Sequence, residues 1–161
     1  MSGRLLVSVS GGGTDRRSAV EQVVTLAREL GLPPPRVDDL RLAVHECLVN
    51  AFEHGHLGDA AEEILVEVAG EGHGVVTVRV RDRARGGGWD PAPRACPAAA
   101  AMPSVLAERG RGLALVVALT DDCTIHTDPG STTVAFRLGV PASSRPPASG
   151  GPMGPAGPSR A

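Results

Sequence analysis

Glu46, Asn50 and His54 stand four residues apart in a segment whose apolar residues repeat at helical spacing. On a helix such a row projects from one face, beside the apolar stripe of Leu40, Val44 and Leu48. A carboxylate there can act as a general base. A neutral amide oxygen is a hard ligand suited to Mg²⁺, which takes one or two protein oxygens plus substrate phosphates. The same spacing fits a polar helix face with no chemistry, so the row needs support from elsewhere in the chain. Asp82 ends an alternating segment and is followed by Gly86-Gly87-Gly88. A carboxylate at a strand's exit accepts a hydrogen bond from an exocyclic amine such as that of adenine, and glycines let the backbone approach a ligand. Gly110-Arg111-Gly112 leads into a second apolar segment, and backbone N–H groups at such a loop-to-helix junction favour an anion such as phosphate. Thr132 and Thr133 open the last alternating segment, where one hydroxyl can bond a base or an ordered water, although β-branched Thr is also simply favoured in strands.

The pattern of the chain supplies the elements that must hold these residues. Arg4 to Ser10 alternate, which suits a half-buried strand closed by Gly11-Gly12-Gly13. Thr14 or Asp15 can cap a first helix whose stripe is Val20, Val23, Val24, Ala27 and Leu30, with Gly31 as its stop. Pro33-Pro34-Pro35 predicts an extended connection into a second helix, from Val37 to the residue before Gly55. Glu63 to Ala69 and Val75 to Asp82 read as an antiparallel hairpin across a Gly-rich turn. A long loop without period runs from Arg83 to Arg109. Leu113 to Leu119 is then a short helix too uniformly apolar for the surface. Strands Cys123 to Thr127 and Thr132 to Leu138 flank the turn Asp128-Pro129-Gly130. The expected fold is an α/β two-layer sandwich, one mostly antiparallel sheet with its helices on a single face, over residues 1–139. Residues 140–161 read as a disordered tail, since Pro141 to Ala161 holds six Pro and four Gly and nothing to bury.

Composition narrows the chemistry. With 161 residues and 42% hydrophobic residues the chain fits one ordinary domain. All 16 basic residues are Arg, so a Walker A loop, the ordinary protein-kinase fold and Schiff-base enzymes, which need a Lys, are excluded. A net charge of −2 gives no reason to expect nucleic acid as a partner. No stretch approaches the roughly 18 apolar residues of a membrane span. Cys47, Cys96 and Cys123 are odd in number and lack CxxC spacing, so neither a disulfide framework nor a zinc site is indicated, and a cytoplasmic protein is expected.

In their order, the ExxxNxxxH helix, the strand-end Asp, the Gly-rich lid, the GxGL helix start and the Thr of the last strand resemble the GHKL family of ATP-binding domains. That family includes gyrase, histidine kinases and anti-sigma factors, and its ATP site is built on a Bergerat-type fold. Within it, LRLAVHECLVNAFEHGH and ERGRGLALVVALTDDCTIHTDPGSTTVAFRL look most like the anti-sigma factor serine/threonine kinases. The resemblance implies ATP and Mg²⁺ as ligands, with Glu46 as base for a serine hydroxyl and Asn50 holding the metal. It implies Asp82 on the adenine amine, Gly86, Gly110 and Gly112 around the nucleotide, and Thr132 or Thr133 supporting the base pocket. His54 matches the subfamily's pattern and would also suit the helix's C-terminal end. The implied partners are a sigma factor and an anti-anti-sigma antagonist carrying the target serine. A homodimer is also implied, with the N-terminal strand edge as a candidate surface. One departure stands in Asp82-Arg83-Ala84-Arg85-Gly86, where Ala84 replaces the first Gly of the family's Asp-x-Gly-x-Gly box and its Cβ would reshape the adenine pocket.

Two competing readings remain. One is a non-catalytic module of the same fold that holds a partner and uses ATP, if at all, as a conformational ligand. The other is a detached histidine-kinase catalytic domain, which lacks here any dimerisation helix with a phosphoacceptor His.

Overall fold

The computed structural model describes residues 3–10, 13–54, 63–82, 95–97, 112–128 and 131–139. In chain order these form β1 (Arg4–Ser10), α1 (Gly13–Glu29), α2 (Pro34–His54), β2 (Glu63–Gly72) and β3 (Val75–Arg81). They continue as β4 (Ala95–Pro97), α3 (Gly112–Leu119), β5 (Asp122–Asp128) and β6 (Ser131–Leu138). The strands make one sheet in the order β1-β2-β3-β6-β5-β4, antiparallel at every junction.

Alternation decides which face of the sheet is covered. Val7, Val9, Ile64, Val66, Val68, Val76, Val78, Val80, Ile125, Val134, Phe136 and Leu138 point to one side and are buried. They share a core with Val23, Val24 and Ala27 of α1, Leu40, Val44 and Leu48 of α2, and Leu113 and Val116 of α3. The opposite face is polar and carries ion pairs: Arg4 and Arg79 both reach Glu67, and Arg137 reaches Glu71. This is the two-layer sandwich the pattern predicts.

Local chemistry sets the junctions. Gly31 stops α1 in the left-handed region at φ 84°. The N–H of Leu32 returns to the Ala27 carbonyl at 3.0 Å and that of Gly31 to Arg28 at 3.0 Å, which is the Schellman closure. His73 and Gly74, at φ 52° and 71°, form the two-residue turn between β2 and β3. Gly72 at φ 87° places Glu71 as the extra residue of a bulge.

Three expectations change. Pro34 and Pro35 lie inside the first turn of α2 rather than in an extended link, because a helix's first residues need no N–H donor and the Pro33 carbonyl accepts from Arg36 and Val37. The long loop contains β4, whose three residues show no period but extend the sheet beside β5. In α3 only Leu113 and Val116 are buried. Its other residues are half-buried or exposed because the helix rests at the border of its layer against α2 and β5. The loop glycines Gly86 and Gly110, Ala84, the turn at Pro129-Gly130 and residues 140–161 lie outside the described residues.

Candidate functional site

Helix α2 carries Glu46, Asn50 and His54 along its C-terminal half, above the sheet. His54 is the helix's last residue, and its side chain lies outside the described set. Glu46 is half-buried and Asn50 is 5% exposed. The Asn50 Oδ1 atom is buried and has no hydrogen-bond partner. A buried amide oxygen without a partner is costly, by about 1–3 kcal/mol, and such groups call for an explanation. An oxygen ligand awaiting a hard cation is one that fits its chemistry.

Glu46 is met from the other side by α3. A Cβ built on Gly112 would lie 2.7 Å from Glu46 Oε2. With glycine here the start of α3 comes this close to the carboxylate without displacing it, and the carboxylate sits where a helix dipole favours negative charge. Cys47, the next residue along, turns into the core. Burial holds its thiol well above the ordinary range, and Cys123 and Glu46 add smaller pushes in the same direction.

Asp82 and Thr132 form the floor. Asp82 is 3% exposed and Thr132 is 7% exposed, and both follow the alternation of the helix-facing residues on their strands. The Asp82 N–H donates to the Thr132 carbonyl at 3.0 Å, and the Thr132 N–H donates back to Asp82 Oδ1. This two-way pairing carries the β3–β6 ladder one step beyond Arg81 and fixes the direction of the carboxylate. Thr133 pairs with Arg81 and His126 and belongs, by alternation, to the opposite face. Of the two threonines, Thr132 is thus the one on the same side as Asp82 and the helices.

Glu46 thus meets Gly112, and Asp82 meets Thr132 on the helix-facing side of the sheet. Because Arg36 at the start of α2 bonds Gly139 beyond the far end of β6, the C-terminal half of α2 runs toward the strand ends that carry Asp82 and Thr132. Among the described residues no group of three or more His, Cys, Asp or Glu is arranged to hold a metal ion. A cation at Asn50 would need oxygens from a bound ligand, which suits Mg²⁺ carried by phosphates. Among the described residues no helix is long and apolar enough to cross a membrane. A cavity of about 600 Å³ lies elsewhere, between α1 and α2, lined by Arg16, Val20, Leu42 and His45 among others.

Sequence spacing missed Arg36. It sits in the first turn of α2, and apart from Asp39, three residues on, its partners are 83 to 103 residues away along the chain, so no local pattern could reveal them. The only signal was an Arg at a helix start, where the dipole disfavours a cation.

A family model described as histidine kinase-like ATPase domain matches residues 14–138. The fold is similar to a crystal structure of the RsbU and RsbW domains of Rv1364c from Mycobacterium tuberculosis, with a TM-score of 0.59 and 24% sequence identity. That likeness covers 84% of this chain and 32% of the other, so the chain spans about a third of the length of the solved protein it matches. With the matched region running from the start of α1 to the end of β6, the chain belongs to the family of histidine kinase-like ATPase domains and is built to bind ATP.

Proposed function

We propose that the chain is an anti-sigma factor that uses ATP to phosphorylate a serine or threonine of an anti-anti-sigma protein. The observation that carries this reading is the buried Asn50 oxygen without a partner, in one row with Glu46 where α3 presses its glycine against the carboxylate. The resemblance of the α2 and α3 segments to anti-sigma factor kinases, and the likeness in fold to a chain containing an RsbW domain, support it.

In this reading Asp82 holds the adenine amine and Thr132 steadies that carboxylate through its backbone. Gly112, together with Gly110 and Gly86, borders the nucleotide, and His54 closes the row on α2. Asn50 holds Mg²⁺, which neutralises phosphate charge when bound. Glu46 accepts the proton of the attacking hydroxyl as its oxygen bonds to the γ-phosphorus, the β–γ P–O bond breaks and ADP leaves. Phosphoryl transfer depends mainly on position and charge neutralisation, so a base and a metal ligand suffice without Lys. A homodimer, joined through the open edge of β1, belongs to the same proposal.

The test is transfer of labelled phosphate from Mg-ATP to a candidate anti-anti-sigma partner by the purified full chain. Label on a partner serine or threonine, lost in Glu46→Ala while that variant still binds Mg-ATP, is the expected result. Tight partner binding with no Mg-ATP binding in calorimetry would replace it with the non-catalytic module, for which Ala84 supplies the reason.

A further inference from the structure

Arg36 makes a closed polar junction at the opposite end of the α2–α3 pair. Its side chain is 15% exposed. Nη1 donates to Asp39 Oδ2 at 2.7 Å and to the Leu119 carbonyl at 3.1 Å, and Nε donates to the Gly139 carbonyl at 3.2 Å. Nη2 pairs with the Asp121 carboxylate. Asp121 is itself held, since its Oδ2 accepts from the Gly139 N–H at 2.7 Å and its own N–H donates to the Arg137 carbonyl at 2.9 Å. One guanidinium thus ties the start of α2, the end of α3, the corner into β5 and the end of β6.

The orientation of the dipoles explains why Arg stands here. A cation in the first turn of α2 opposes that helix's dipole, but Leu119 is the last residue of α3, whose C-terminal end attracts a cation. With Leu119 beside Arg36 and Gly112 beside Glu46, α3 runs antiparallel to α2. Seven helical steps from Gly112 to Leu119 span about 11 Å, and ten from Arg36 to Glu46 about 15 Å. The guanidinium bridges the difference, so its grip sets how far α3 reaches along α2. That reach decides how closely the Gly112 backbone meets Glu46, whose carboxylate oxygen would stand 2.7 Å from a Cβ at Gly112.

We propose that Arg36, with Asp121, is a positioning residue for the nucleotide site: it sets the axial register of α3 and so places the Gly112 backbone against Glu46 and the phosphates. This rests on the reading of that end of α2 as an ATP site. Lys keeps the charge toward Asp121 but cannot span the same set of acceptors in a fixed plane.

The experiment compares wild type, Arg36→Lys, Asp121→Asn and the double variant, all shown by circular dichroism to be folded well below their unfolding midpoints. Mg-ATP titration by calorimetry is expected to show Arg36→Lys weakened about tenfold, with the double variant no worse than the weaker single one, as residues acting through one junction are non-additive. Arg41→Ala, which removes an ion pair to Glu21 on α1, serves as control and should lower the midpoint without weakening Mg-ATP. A purely structural Arg36 would lower the midpoint and leave affinity within twofold, which overturns the proposal. Should wild type bind no Mg-ATP, the ATP reading falls, and hydrogen exchange in α3 decides the register claim separately. Faster exchange up to Leu113 in Arg36→Lys sustains it, and exchange unchanged from wild type overturns it.

Discussion

The two ends of the α2–α3 pair are opposites. At the Arg36 end carboxylates, carbonyls and a guanidinium close on one another. At the Glu46 end a buried amide oxygen has no partner and a carboxylate rests against a bare glycine backbone. Both ends are polar, yet one is complete as it stands and the other leaves a buried acceptor open. Satisfied networks fix a fold, whereas an unsatisfied buried group marks where a fold has been shaped around something else.

Substitutions can break that contrast. The largest effect is expected from Glu46→Ala, which should slow phosphoryl transfer about a thousandfold, or about 4 kcal/mol, with little change in the urea midpoint. An equal loss of stability would make Glu46 part of the closed network instead. Next, Arg36→Ala should cost about 2 kcal/mol of folding stability, because it removes the donor to the Leu119 and Gly139 carbonyls and one of the two partners of Asp121. Asn50→Leu, close to it in shape, should do the reverse and raise stability by about 1 kcal/mol while abolishing Mg²⁺-dependent nucleotide binding. A clear loss of stability there would mean that Asn50 is satisfied after all.

Much of the fold was legible because it rests on local rules. The stripe of α1 with Gly31 as its stop, the alternation of β2 and β3 and the helical repeat of α2 each carry their reason within a few neighbouring residues. Pro34 and Pro35 misled because the same residue that breaks a helix inside is welcome in its first turn. Ala95-Cys96-Pro97 was invisible because three residues have no measurable period and take their strand character from β5. In the candidate site, spacing put Glu46 and Asn50 on one face of α2 but did not say what that face is for. The choice of Thr132 over Thr133 was not readable from spacing, since it depends on which face of β6 meets the helices. Arg36 was hidden for a different reason, all its partners but Asp39 being assembled only by tertiary packing.

The smallest effect expected concerns the thiols between the two ends. Burial lifts Cys47 well above the usual range and, with a lesser push from Asp122, takes Cys123 to about 11. The unfolded chain releases these protons near 9, while the folded chain keeps them. Their contribution to stability is therefore whole below about pH 9 and declines above it, for Cys123 until pH passes about 11, which a urea series across that range will read. The same burial should make both thiols slow to alkylate in the native protein.

The grip on Gly139 has a practical consequence for where the chain can be cut. Both its N–H and its carbonyl are engaged, by Asp121 and Arg36, so the residue acts as the buckle of the β6 end and belongs with the sheet rather than with residues 140–161. We expect a chain truncated after Val140 to melt at the full-length temperature, and one truncated after Leu138 to melt several degrees lower. Removing Gly139 would take away one residue and, with it, one acceptor of Arg36 and the N–H that holds Asp121.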